Sequence, residues 1–284
     1  MTYQQMDCLS NDLAHKLVTK GVQRKTLVAL YMDKSIEMFL SILAIHKAGG
    51  GYVPLDPEYP AERIRAIIDL AQVTVVMTTR ELHEQIESVL SGTGIACLLV
   101  DFNQLSSAPK PDVGSVSRSD ISHVLFTSGS TGIPKGIGNT SCSTIVFTSL
   151  QSGVILTHGA VIESIVASRE VIGVQDSRVL QFANYTFDIS VWVSMMCYPL
   201  SEMSPHMSYQ DWGCTWTSGG TLCVVPKQRL IDDLGSVAEE MDVTFMFMTP
   251  TGECNRILKT YLIFVPRTKL PRSLLPNKYH LCKP

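Results

Sequence analysis

Apolar residues along the first half of the chain follow two alternating rhythms. Met6, Leu9, Leu13 and Leu17 fall on one face of a helix. Residues 26–32 (TLVALYM) form a short apolar run of the kind a buried strand needs. Ile36, Phe39, Leu40 and Leu43 then return at helical spacing, with Ser35 placed as N-cap. Gly49, Gly50 and Gly51 stop that helix, and Tyr52, Val53 and Pro54 predict a second strand. Pro60 opens a helix bearing Ile64, Ile67 and Ile68. Residues 73–77 and 95–100 predict two further strands. Such strand–helix–strand repetition predicts an α/β fold, a doubly wound parallel sheet with helices on both faces. Residues 103–119, rich in Ser and Pro, read as an exposed linker, after which residues 122–126 form a strand entering a glycine-rich turn. Beyond the turn, residues 159–171 read as helix, 178–182 as extended chain and 221–225 as strand. Residues 229–241 then predict one helix through Leu230, Leu234 and Val237, followed by a strand at 244–248.

Composition narrows the class. Of 284 residues, 45% are hydrophobic and 17% charged, with mean hydropathy +0.16. No uncharged apolar run reaches the roughly 18 residues a membrane-spanning helix requires, so no such helix is predicted. The amphipathic N-terminus, MTYQQMDCLSNDLAHKL, lacks the apolar core of a secretory signal. A net charge of −3 gives no electrostatic footprint for nucleic acid. The eight cysteines form no C-x-x-C pair and have no histidine at zinc-ligand spacing. A reduced, cytoplasmic enzyme without a structural metal is the expectation.

The richest chemistry lies in Thr127-Ser128-Gly129-Ser130-Thr131-Gly132-Ile133-Pro134-Lys135-Gly136, directly after a predicted strand. Glycines let successive backbone N–H groups converge on an anion, because positive φ costs them little. The hydroxyls add donors for phosphate oxygens, and Lys135 supplies a mobile positive charge. An ordinary Ser/Gly surface loop is the plain alternative. The order differs from G-x-x-x-x-G-K-[ST], since its lysine follows a proline.

Every position of this run resembles the phosphate-binding signature of the adenylate-forming superfamily, which spans acyl-CoA synthetases, luciferases and peptide-synthetase adenylation domains. The resemblance implies ATP as co-substrate, Mg2+ as its partner, and Thr127, Ser128, Gly129, Ser130, Thr131, Gly132 and Lys135 as nucleotide-binding residues. The implied reaction is attack of a carboxylate on the α-phosphorus, catalysed by positioning and charge neutralisation.

Other motifs resemble nonribosomal peptide synthetases in particular. Thr2-Tyr3 with Asn11, Leu13 and Ala14 is similar to their first core motif, although Met1 stands for leucine and Gln5 for an acidic residue. Lys47 to Pro57 (KAGGGYVPLDP) and Tyr59 to Ile64 follow the second motif closely and suit packing rather than catalysis. Asn184-Tyr185-Thr186-Phe187-Asp188-Ile189-Ser190-Val191-Trp192 resembles the F-D-x-S motif of the amino-acid pocket. That resemblance implies Asp188 on the substrate ammonium group, with Ile189 and Trp192 lining the side-chain pocket. On the residues alone, Phe187 and Trp192 equally suit a core and Asp188 a helix N-cap.

Three stretches depart from the family. Joining Gly136 to Val154 restores PKG-VILTHGA, and joining Trp192 to Asp211 restores SVW-DWGCTWTSGGTL. After Thr251 the recognisable motifs end, which makes 1–251 a partial adenylation domain and 252–284 a tail expected without order. Residues 137–153, 193–210 and 252–284 read as translated intervening sequence, Gly252-Glu253-Cys254 being able to encode a donor site. Val193 and Gln210 can carry the terminal GT and CAG, and Gly136 with Ser152-Gly153 can carry a split glycine codon. The alternative is a pair of genuine surface insertions, which loops tolerate.

The expected function is ATP-dependent activation of an amino acid as aminoacyl-AMP within a nonribosomal peptide synthetase of secondary metabolism. The expected partners are condensation and carrier-protein domains, the carrier bearing a phosphopantetheine outside this chain; neither nucleic acid nor membrane is expected. The chain lacks the later motifs of the family, so it is expected to be inactive alone. Two alternatives remain: an acyl- or aryl-CoA synthetase-like ligase, and a noncatalytic nucleotide-binding fragment. Asp188 weighs against the first, because a substrate without an ammonium group leaves that charge unpaired.

Overall fold

The computed structural model describes residues 1–126, 153–172, 174–182, 185, 208–247 and 262–264. The chain divides into two compact units, residues 1–167 with 184–203, and residues 168–183 with 204–284.

The first unit is built on six strands: β1 (Leu27–Tyr31), β2 (Gly51–Leu55), β3 (Val75–Thr78), β4 (Ala96–Leu99), β5 (Ile121–Phe126) and β6 (Gly153–Thr157). Their order is β4-β3-β1-β2-β5-β6. The first five are parallel and β6 runs antiparallel to β5, with Phe126 opposite Gly153 and Val124 opposite Ile155. β1 and β2 are buried along their whole length, as strands covered on both faces must be. On one face, Ala29, Tyr31, Val53, Val76, Val124 and Ile155 pack against Ile64, Ile67 and Ile68 of α3 (Ala61–Ala71) and Ile86 and Leu90 of α4 (His83–Leu90). Helix α4 was not expected from the sequence.

The alternate strand residues, among them Val28, Leu30, Tyr52, Val75 and Met77, turn to the other face. That face is covered by α2 (Ile36–Lys47), which α1 (Tyr3–Thr19) packs against. Ser35 caps α2 as expected, its hydroxyl accepting from the Met38 N–H at 3.2 Å. Thr2 and Gln5 form a reciprocal capping box on α1, so the Gln5 that departs from the acidic motif residue still performs its capping. Lys47 donates to Asp7, Ser10 and Asn11, tying the end of α2 to α1. Gly49, at φ +83°, takes the left-handed conformation that ends α2, and a Cβ on Gly51 would lie 2.9 Å from the Ile121 carbonyl oxygen. Residues 103–119 run largely exposed, as expected, yet Asn11 and His15 of α1 bind the carbonyls of Ala108 and Pro109.

The second unit carries a smaller sheet of β7 (Arg178–Leu180), β8 (Thr221–Cys223), β9 (Phe245–Phe247) and β10 (Leu262–Phe264), in the order β10-β9-β7-β8. β7 is parallel to β8 and β9, and β10 is antiparallel to β9. Three residues of the tail expected without order thus form a strand. The helix expected at 229–241 is two, α7 (Lys227–Asp232) and α8 (Leu234–Glu240), preceded in the chain by α5 (His158–Ile172) and α6 (Ser208–Thr217). The break falls at Asp233, whose extended backbone leaves helical geometry while its carboxylate accepts from the Ser236 N–H at 2.9 Å. Helix α6, also unexpected, runs across the junction expected between residues 210 and 211.

Candidate active site

Parallel strands bind ligands beyond their carboxyl ends, where helix N-termini and loops converge. In the first unit the Ser/Thr/Gly/Lys run starts from that edge, since Thr127 follows Phe126, the last residue of β5. Thr127, Ser128, Gly129, Ser130, Thr131, Gly132 and Lys135 lie outside the described residues, as do Asp188, Ile189 and Trp192. The described structure therefore gives the frame of the candidate site rather than its lining.

Two features of the frame stand out. Tyr185, in the motif that carries Asp188, is buried and donates its hydroxyl hydrogen to the carbonyls of Met32, just past β1, and Leu55, at the end of β2. Burial, reinforced by the Asp56 carboxylate, pushes its phenol far above the ordinary range, so it stays a donor. Tyr185 is thereby tethered at the carboxyl edge of the sheet.

At the opposite end of β5 lies a polar cluster. A bulge between Ile121 and His123 interrupts the pairing of β5 with β6. Ile121 packs with the α3 face, whereas Ser122 and His123, successive residues, both meet the α2 side. His46 of α2 lies 3.0 Å from the Ser122 carbonyl oxygen through Nε2, which must carry the hydrogen. His123 stacks on Tyr52 with ring centroids 4.8 Å apart, and His158 meets His46 edge-on at 4.7 Å. Burial lowers His46 to about 4 and His123 to about 3, neighbouring imidazoles adding to the effect. His158 is lowered by burial and partly restored by Asp120. Arg24 grips both oxygens of Asp120 at 2.9 Å, and the Ser117 N–H donates to the same carboxylate. These bonds, Arg24 first, hold Asp120 below the usual carboxylate range.

A family model described as AMP-binding enzyme matches residues 1–261. The chain belongs to that family. Among its AMP-binding relatives, the peptide synthetase sidE of Aspergillus fumigatus is 36% identical over 255 residues, covering 88% of this chain and 10% of that protein. Malformin synthetase mlfA of Aspergillus sclerotiicarbonarius is 33% identical over 90% of this chain and 4% of its own length. Malpinin synthetase of Mortierella alpina is 36% identical over 88% of this chain and 3% of its own. The chain thus spans a tenth or less of each of these relatives. The solved peptide synthetase FmoA3, in a form bound to alpha-methyl-L-serine-AMP, shares the fold with a TM-score of 0.65 at 23% identity, over 86% of this chain and 23% of that one.

Sequence reasoning singled out residues 127–136 and 184–192 but gave no role to Tyr185, Asp120 or the histidines. Tyr185 had a usable signal, being a polar aromatic inside an apolar motif. The cluster had none, because its members stand far apart in the chain.

Proposed function

We propose that the chain contributes the ATP-binding part of an adenylation domain that activates an amino acid as aminoacyl-AMP within a peptide synthetase. The reading rests chiefly on one observation: the Ser/Thr/Gly/Lys run opens at the carboxyl end of β5 in a parallel sheet of an AMP-binding family member. Amides and hydroxyls of Thr127, Ser128, Gly129, Ser130, Thr131 and Gly132 cradle the phosphates, and Lys135 neutralises charge. Mg2+ accompanies the nucleotide. Asp188 takes the substrate ammonium group beside Ile189 and Trp192. Condensation and carrier domains, the latter with phosphopantetheine, complete the synthetase, in the cytoplasm.

Residues 137–153 and 193–210 are translated intervening sequence in this reading, and the motif-poor segment 252–284 has the same origin. The hairpin register supports it at the first site. Excision would join Gly136 to Val154, leaving a glycine opposite Phe126 where Gly153 now pairs. With those segments retained, the 284 residues bind nucleotide weakly and form no adenylate, because loosened positioning costs rate steeply.

Calorimetry with ATP-Mg should show weak binding, reduced at least about tenfold in Lys135→Ala, the loss of one charge-assisted contact. Equal affinity in the two proteins rejects the phosphate-loop assignment. Amino-acid-dependent exchange of pyrophosphate into ATP by this chain would contradict its inactivity. A spliced transcript retaining all three segments refutes their intervening origin.

A further inference from the structure

A hairpin joined by a short turn takes its register from the turn. The β5–β6 hairpin cannot, because residues 127–152 separate its strands. Its register must be set at the other end, where the polar cluster sits. There the His158 N–H donates to the Asp120 carbonyl at 3.0 Å and the Gly159 N–H to the Arg118 carbonyl at 2.8 Å, closing the hairpin across its root. Arg24 holds Asp120 from beside β1, and His46 holds Ser122 from α2. The bulge at Ser122 is the irregularity that a slip of the strand would have to remake.

We propose that Arg24, Asp120, His46 and His123 are positioning residues for the phosphate loop, setting the register of the hairpin that carries it from the end remote from the nucleotide. The inference rests on the phosphate-loop reading for its consequence and on geometry alone for the hairpin.

Acid sensitivity follows. The titratable groups in the cluster are His46 from α2, Tyr52 from β2, Asp120 and His123 before and within β5, and His158 at the start of α5. Arg24 is bonded to Asp120, and Arg118 pairs with Glu163 at the surface. The imidazoles lie together, His123 fully buried and His46 and His158 partly so, with one carboxylate already bonded to Arg24. His158 Nε2 is buried without a hydrogen-bond partner. A second proton on His123 would charge a ring whose burial withholds water, with the Ser122 hydroxyl 3.1 Å from its Nδ1 as the polar neighbour. A histidine held below its ordinary value near 6.5 supports the closed state fully above that pH, and the support is lost as pH falls toward the folded value. At pH 5, opening gains about 30-fold for each imidazole it releases.

Amide hydrogen exchange, corrected for the intrinsic pH dependence, tests this on the whole chain at pH 7.5 and 5.0. Protection of residues 121–126 and 153–157 should fall at least about 30-fold at pH 5.0, while residues 27–31 and 75–78 hold theirs. His46→Leu should remove about 30-fold of that acid loss, and His123→Phe, which keeps a ring on Tyr52, serves if the leucine variant does not fold. Equal acid loss in wild type and variants, or equal loss across all four strands, overturns the proposal. ATP-Mg affinity measured in parallel should fall with hairpin protection. If protection behaves as expected and ATP does not bind at pH 7.5, the phosphate-loop reading has failed. If ATP binds and the hairpin ignores pH, the positioning role has failed.

Discussion

The two faces of the six-stranded sheet bury similar strands by different chemistry. Under α3 and α4 the contacts are almost wholly aliphatic, with Ile64, Ile67 and Ile68 seated on Ala29, Val53, Val76 and Val124. Under α2 the same strands present Val28, Leu30, Val75 and Met77 at one end, but Tyr52, Ser122 and His123 toward β5, facing His46. An aliphatic face is held by exclusion of water, which protons do not alter. A face that buries His123 and partly buries His46 is weakened when either gains a proton, because desolvation penalises the charged form. β5 lies where the second kind of packing is concentrated.

The largest expected effect breaks the aliphatic face. Ile67 is 1% exposed, and Ile67→Ala should cost roughly 2–5 kcal/mol in urea unfolding through lost burial and a cavity. The cost should be the same at pH 7.5 and 5.0, since Tyr31 and Cys97 of its cluster are raised above their ordinary values and stay protonated at both. A pH-dependent cost would mean that the faces are coupled. The next effect isolates the histidine face. His123→Phe should make the chain less sensitive to acid, recovering about 2 kcal/mol at pH 5.0 relative to its effect at pH 7.5. The sign follows from a folded value of about 3 beneath an ordinary value near 6.5. No recovery would place the acid sensitivity elsewhere.

How much of this was legible depends on the range over which each feature is encoded. β1 and β2 were visible as continuous apolar runs, and α2 as a periodic stripe behind a Ser cap, because those signals sit within one segment. Helix α4 was missed: Glu84, Gln85, Glu87 and Ser88 outnumber Ile86 and Leu90, the residues it buries. The expected helix at 229–241 overlooked the capping power of Asp233, which a pattern of Leu and Val alone conceals. The run at 127–136 stood out in the sequence because hydroxyls, glycines and a lysine follow one another there in a fixed order. The histidine cluster was unreadable, since His46, His123 and His158 come together only when β5 is seated beside β2 and bulged at Ser122. Tyr185 stood inside a readable motif, but its partners are backbone carbonyls, which carry no identity.

That last contact supplies a smaller test, at the strand edge shared by the two faces. Tyr185→Phe leaves the Met32 and Leu55 carbonyls without their shared donor and should cost about 1–2 kcal/mol. If it also weakens amino-acid binding without changing ATP affinity, the tether serves the substrate motif. If both are unchanged, the hydroxyl only supports the edge.

The smallest test asks whether the histidine face depends on α2 as a whole or on its last turn. Ser35 caps the end of the helix remote from His46, and Ser35→Ala should cost about 1 kcal/mol by exposing an unpaired N–H. Serine does not titrate here, so the cost should be equal at pH 7.5 and 5.0. The hydrogen-exchange protection of β5 should follow the same rule. Were the cap variant instead to open residues 121–126 selectively in acid, fraying at the first turn would be reaching His46. The bonds from Lys47 to Asp7, Ser10 and Asn11 argue that it does not, because they fasten the last turn of α2 to α1 independently of its start.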